Sequence, residues 1–157
     1  MFRELSLHLE HLIVMRVMNK MISIVHVEDN LAHAVLVKQY FDMLDPQIEI
    51  IHLLDGEAAL NYLLSRSVDV DLPSMVLLDL RLPKISGLEV LRRVREVGTL
   101  HALPMIVLST SCSKDDIDNA YRYGANSYLV KPLDPESMRA MIQSIYNHWL
   151  SWNVVKE

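Results

Sequence analysis

A chain of 157 residues with 51% hydrophobic residues fits one domain of ordinary size and has ample material for a core. Its net charge of -5, without a Lys/Arg cluster, argues against direct nucleic-acid binding and favours protein partners or a small anionic substrate. The single cysteine, Cys112, rules out an intramolecular disulfide and suits a reducing cytoplasm, and no apolar run approaches the ~18 residues needed to cross a bilayer.

In residues 1–20 the charges, Glu4 and Glu10 among them, are spread along the segment. They do not show the charged-then-apolar order of a signal peptide, so secretion is not expected. Leu5, Leu9, Leu12 and Ile13 can share one face of a helix, so this extension is expected to be helical or disordered. Met15, Met18 and Met21 each offer an alternative start. From residue 21 to 150 short β-branched runs alternate with helical patterns, as an α/β fold with a parallel sheet and helices on both faces requires. Strands are expected at about 22–27, 48–53, 74–79, 104–109 and 126–130, and helices at 31–44, 57–65, 88–97, 114–123 and 136–150. Gly98 and Gly124 mark helix ends where a positive φ is cheap. Residues 65–74 form the one longer loop, 151–157 a short tail, and the (βα)5 pattern leaves no room for an effector domain.

In open parallel sheets functional residues collect at the carboxyl ends of the strands. Here the first strand runs "ISIVHVEDN" into two adjacent carboxylates, Glu28 and Asp29. The third ends at Asp79, the fourth at Ser109 and Thr110, the fifth at Lys131 and Pro132. A buried unpaired carboxylate is costly and adjacent ones repel, so something positive is expected beside them. Glu28, Asp29, Asp79 and Lys131 together carry a net charge of -2, which one divalent cation cancels. Hard oxygen donors without His or Cys point to Mg2+. Asp79 is the expected nucleophile, attacking a phosphoryl group while the metal and Lys131 neutralise the transferring oxygens, with an acyl phosphate as product. Alone, Asp79 would read as a turn acid and Lys131 as a solvated loop lysine; their combination decides otherwise. The seven histidines show no close ligand pairing apart from His8 and His11, and no zinc site is assigned.

In chain order, "VEDN", "LLDLRLPKISG", "VLSTS" and "YLVKP" resemble the receiver domain of two-component response regulators, over residues 21–150. The resemblance implies a doubly wound, flavodoxin-like (βα)5 sandwich whose five-stranded sheet has the order 2-1-3-4-5. It implies that Glu28 and Asp29 are the acidic metal pair, Asp79 the phosphoacceptor and a metal ligand, and Arg81 the residue whose backbone carbonyl binds the metal. Ser109 then corresponds to the switch hydroxyl, Tyr128 to the switch aromatic and Lys131 to the phosphate-binding lysine, with a cis bond before Pro132. Ser109 replaces the more frequent threonine, and Arg81 occupies a position whose side chain faces the site in receivers. The implied function is that of a cytoplasmic, single-domain signalling protein, not an enzyme beyond weak self-phosphorylation from small phosphodonors and autodephosphorylation. A sensor histidine kinase would phosphorylate Asp79 with Mg2+, Ser109 would turn toward the phosphoryl group, and Tyr128 would follow. The long spacing between the second and third strands and the ending "IQSIYNHWLSW" are similar to small stand-alone regulators associated with bacterial phytochromes.

Two other chemistries are open to such a site. An aspartate-nucleophile, Mg2+-dependent phosphatase wants a second acid two residues after the nucleophile, where this chain has Arg81. A flavodoxin-like flavin carrier wants a hydroxyl- and glycine-rich loop after the first strand, where this chain has "EDNLAHA". Met138, Ile142, Ile145 and Trp149 form the core stripe of the last helix, while Met141, Tyr146, Leu150 and Trp152 lie partly outside it. These apolar groups predict a homodimer through the fourth helix, fifth strand, fifth helix and C-terminal segment.

Overall fold

The computed structural model describes residues 22–66 and 72–152, without the side chain of Trp152, so the extension at 1–20, its His8 and His11, and the tail beyond 152 lie outside the described residues. Five strands, β1 (Ser23–Val27), β2 (Glu49–Leu53), β3 (Met75–Leu78), β4 (Met105–Ser109) and β5 (Ser127–Val130), form one parallel sheet in the order β2-β1-β3-β4-β5. Among the described residues five α-helices alternate with them: α1 (Leu31–Leu44), α2 (Gly56–Leu64), α3 (Gly87–Glu96), α4 (Lys114–Arg122) and α5 (Pro135–Ile145). The expected architecture and sheet order are therefore present.

The central strands are apolar on both faces because helices cover both. Alternate residues of β1 face opposite ways: Val25 and Val27 join a core with Leu60, Leu63, Val90 and Leu91 of α2 and α3, whereas Ile24 joins Val37 and Phe41 of α1 and Ile142 of α5. Side-chain caps set four helix starts. Asn30 accepts from the backbone of Ala32 and His33, Asp55 from Ala58, Ser86 from Glu89, and Asp134 from Ser137 with Pro135 opening α5.

Two expected boundaries change. Gly124 takes φ +89°, as expected, but Gly98 does not have a positive φ. It opens a short 3-10 turn, Gly98–Leu100, because Val97 has already left the helix in an extended conformation. The α5 winding loosens at Tyr146 into a π-type turn, Tyr146–Trp152, which keeps Tyr146, Trp149 and Leu150 packed on the α1/α5 core. Met141, Tyr146 and Leu150, expected to lie partly outside the core stripe, are partly buried against that core.

Candidate functional site

The strand ends bring the predicted residues to one edge. The Glu28 N–H donates to the Leu53 carbonyl at 3.0 Å and the Asp79 N–H to the Val27 carbonyl at 3.1 Å, extending the sheet pairing one step past the strands. The Lys131 N–H likewise donates to the Ser109 carbonyl at 2.8 Å. These three anchors aim Glu28, Asp79 and Lys131 at one point, and all three are buried. Lys131 Nζ lies 2.5 Å from Glu28 Oε2 and 2.5 Å from Asp79 Oδ2. The remaining oxygens accept backbone donors: Glu28 Oε1 from Asn30 at 3.1 Å and Asp79 Oδ1 from Arg81 at 3.0 Å. A buried ion cluster survives desolvation only with such complete pairing.

The expected cis bond before Pro132 is a correction: the Lys131–Pro132 bond is trans. The anchor of the Lys131 N–H to Ser109 already directs the side chain inward, and trans is the lower-energy form of an X-Pro bond by about 0.5–1 kcal/mol.

One carboxylate oxygen from each of Glu28, Asp29 and Asp79 lies within 4.8 Å of the other two. Asp29 is exposed while the other two are buried, so the group opens to solvent on one side. This hard, all-oxygen donor set fits a small divalent cation. Ser109 is fully buried, and its Oγ accepts the Ser111 N–H at 3.2 Å. Tyr128 is half-buried; its hydroxyl donates to the Ser111 carbonyl at 2.9 Å. Ser109 and Tyr128 therefore meet through Ser111. The Arg81 side chain is 71% exposed and reaches Asp116 of α4 at 3.3 Å.

Gly87 closes the back of the site. A Cβ there would stand 2.0 Å from the Asp79 carbonyl oxygen, so the first turn of α3 approaches the Asp79 backbone as only glycine allows. Three histidines missed as a group also border Glu28. His26 Nε2 is 4.0 Å and His33 Nδ1 3.9 Å from Glu28 Oε2, and His52 Nε2 is 2.7 Å from the Glu28 carbonyl oxygen. Burial, with lesser repulsion from His52 and Lys131, pushes the His26 pKa down to about 3, so it is neutral. The available signal was His26 two residues before Glu28 on one strand, in register with His52 on the next.

Comparison with known proteins agrees with this geometry. The family model for the response regulator receiver domain matches residues 24–143. The probable methanogenesis regulatory protein FilR2 of Methanothrix harundinacea is 48% identical over 128 residues, covering 81% of this chain and 83% of that protein. The response regulator Rcp1 of Synechocystis is 35% identical over 126 residues, covering 79% of this chain and 86% of Rcp1. The crystal structure of its Mn2+-bound form superposes with a TM-score of 0.79 at 33% identity, over 86% of this chain and 99% of that one. The phosphorylated cyanobacterial phytochrome response regulator RcpA superposes with a TM-score of 0.80 at 32% identity, over 86% of this chain and 98% of RcpA. With the family matched across the whole sheet and its acidic edge, the chain belongs to the response regulator receiver domain family.

Proposed function

We propose that Asp79 accepts a phosphoryl group from the phosphohistidine of a sensor kinase and that the resulting acyl phosphate switches partner binding. The observation carrying this reading is the Lys131 ammonium at 2.5 Å from both Asp79 and Glu28. An Asp79 oxygen attacks phosphorus as the phosphorus–nitrogen bond to the kinase histidine breaks, and the departing imidazole keeps the electron pair and takes up a proton. Glu28, Asp29, Asp79 and the Arg81 carbonyl are the residues that would hold Mg2+, which supplies charge neutralisation at the phosphoryl oxygens. Lys131 provides a second cation and links the phosphoryl group to the loop after β5. Ser109 offers its buried hydroxyl as a donor, and its rotation withdraws the acceptor of the Ser111 N–H. The Ser111 carbonyl is what the Tyr128 hydroxyl holds, so the change reaches the surface of α4 and β5.

Neither alternative chemistry gains support. Arg81 cannot serve as the general acid and base of a phosphatase, and the turn after β1 presents Glu28 and Asp29 where a flavin phosphate would need donors. The only turnover ascribed to this chain is slow self-phosphorylation from small phosphodonors and autodephosphorylation. Among the described residues no helix is long and apolar enough to cross a membrane, and a cytoplasmic location suits this role. The likeness to RcpA supports a phytochrome-type histidine kinase as donor. The partner surface is the α4-β5-α5 face, where Tyr121, Val130 and Leu133 are exposed. A groove of 480 Å³ lined by Leu129, Met141, Ile145 and Trp149 adjoins β5 at the sheet edge and supports homodimerisation there.

Treatment with acetyl phosphate followed by mass spectrometry tests the chemistry. One phosphoryl group on Asp79, absent in Asp79→Asn and in chelator, is the expected result. Full labelling in either control overturns it.

A further inference from the structure

Arg81 leaves the carboxylate cluster for Asp116, whose Oδ2 also accepts the Ser111 hydroxyl at 2.5 Å. Ser111 is itself tied at both sides: its N–H donates to Ser109 Oγ, its Oγ accepts the Ser113 N–H at 3.3 Å, and its carbonyl accepts the Tyr128 hydroxyl. One carboxylate in the first turn of α4 therefore joins the loop carrying Asp79 to the loop between β4 and α4. The Arg81 backbone N–H already contacts Asp79 Oδ1 at 3.0 Å, so its side chain starts beside the reacting carboxylate and is drawn away from it.

We propose that Asp116 is a positioning residue that holds the Arg81 guanidinium off the phosphoacceptor, and that a phosphoryl group on Asp79 takes the guanidinium from it. This rests on Asp79 being the phosphoacceptor. A phosphoryl group offers three strong acceptors and nearly two negative charges, against one charge shared with Ser111 on Asp116. Arginine's planar fork suits phosphate oxygens as well as carboxylate oxygens. Because Arg81 is 71% exposed, its pair with Asp116 is weak and easily exchanged. Its departure leaves Asp116 with the Ser111 hydroxyl of its own loop, breaks the tie between the two loops, and loosens the start of α4 by a route separate from Ser109 rotation.

Beryllofluoride, a phosphoryl mimic that binds an aspartate carboxylate together with Mg2+, is the probe, followed by fluorine NMR. Asp116→Asn should bind it about fivefold more tightly than the wild type, the release expected of one exposed ion pair. In an Arg81→Gln background the same substitution should change nothing, and Asp116→Glu should restore wild-type affinity. Asp116→Ser repeats the cycle if Asp116→Asn does not fold. Unchanged affinity in Asp116→Asn and Asp116→Ser, or an equal gain with and without Arg81, overturns the proposal while leaving the phosphoacceptor reading standing. No binding to the wild type overturns both.

Discussion

Lys131 and Asp79, 52 residues apart in sequence, are held 2.5 Å apart with both side chains almost fully buried, and the same ammonium closes on Glu28. Removing the lysine strands two buried carboxylates. Lys131→Ala should therefore lose about 3 kcal/mol of stability in chelator, the cost of breaking a buried ion cluster from one side. Millimolar Mg2+ should return much of that loss and raise the mutant's melting temperature more than the wild type's. Phosphorylation should remain possible in this mutant, with partner affinity no longer responding to it. Equal Mg2+ effects on the two melting temperatures would contradict the account.

Gly87→Ala sets two effects against each other. Alanine favours the helix by at most about 1 kcal/mol, less at a first turn than in an interior. The added Cβ would meet the Asp79 carbonyl oxygen at 2.0 Å, and backbone atoms cannot swing aside as a side chain can. Overpacking wins, and a net destabilisation of about 2 kcal/mol is expected, with weakened beryllofluoride binding because Asp79 is displaced. Urea unfolding measures the first and fluorine NMR the second.

The histidine in β1 gives the fold a pH dependence. His26 has its pKa lowered from 6.5 to about 3 by burial first and by His52 and Lys131 after it, and its Nδ1 has no hydrogen-bond partner. Between those values the unfolded chain takes up a proton that the folded chain refuses. The associated stability is complete above about pH 6.5 and falls as pH drops toward 3, by about 2 kcal/mol at pH 5. Urea midpoints at pH 7 and pH 5 should differ less in His26→Leu than in the wild type. An identical pH response in the two proteins would rule His26 out as the source.

Dimerisation is expected to depend on the β5 edge. Light scattering after size exclusion, from roughly 1 to 100 μM so that micromolar association is captured, should reveal a dimer. Leu133→Asp changes a fully exposed side chain and should leave the melting temperature unaltered while weakening the dimer. A monomer at every concentration, with and without beryllofluoride, defeats the homodimer.

The alternating apolar runs from Ile22 to Leu150 were enough to place the five strands and five helices of the described residues, because a sheet covered on both faces needs short continuous apolar strands separated by helices. Local chemistry marked the acidic edge equally well: Glu28, Asp79 and Lys131 each follow directly on an apolar run, with Asp29 next to Glu28, so their convergence needed only the parallel sheet. Relationships across loops were not legible. The inward aim of Lys131 rests on the anchor of its N–H to Ser109, a contact between adjacent strands. The π-type turn after Ile145 follows from where the α1/α5 core accepts Trp149. Arg95 donates to the carbonyls of Leu100 and Gly124 and to the side chain of Asn126, stapling α3 to the segments before β4 and β5 without any motif of its own. Arg81 shows the division most plainly: its place two residues after Asp79 is written in the chain, but its turn toward Asp116 depends on how the third and fourth strands set their loops side by side. Periodicity is local and survives in one dimension, whereas the partner of a long flexible side chain is chosen by which loops the sheet makes neighbours.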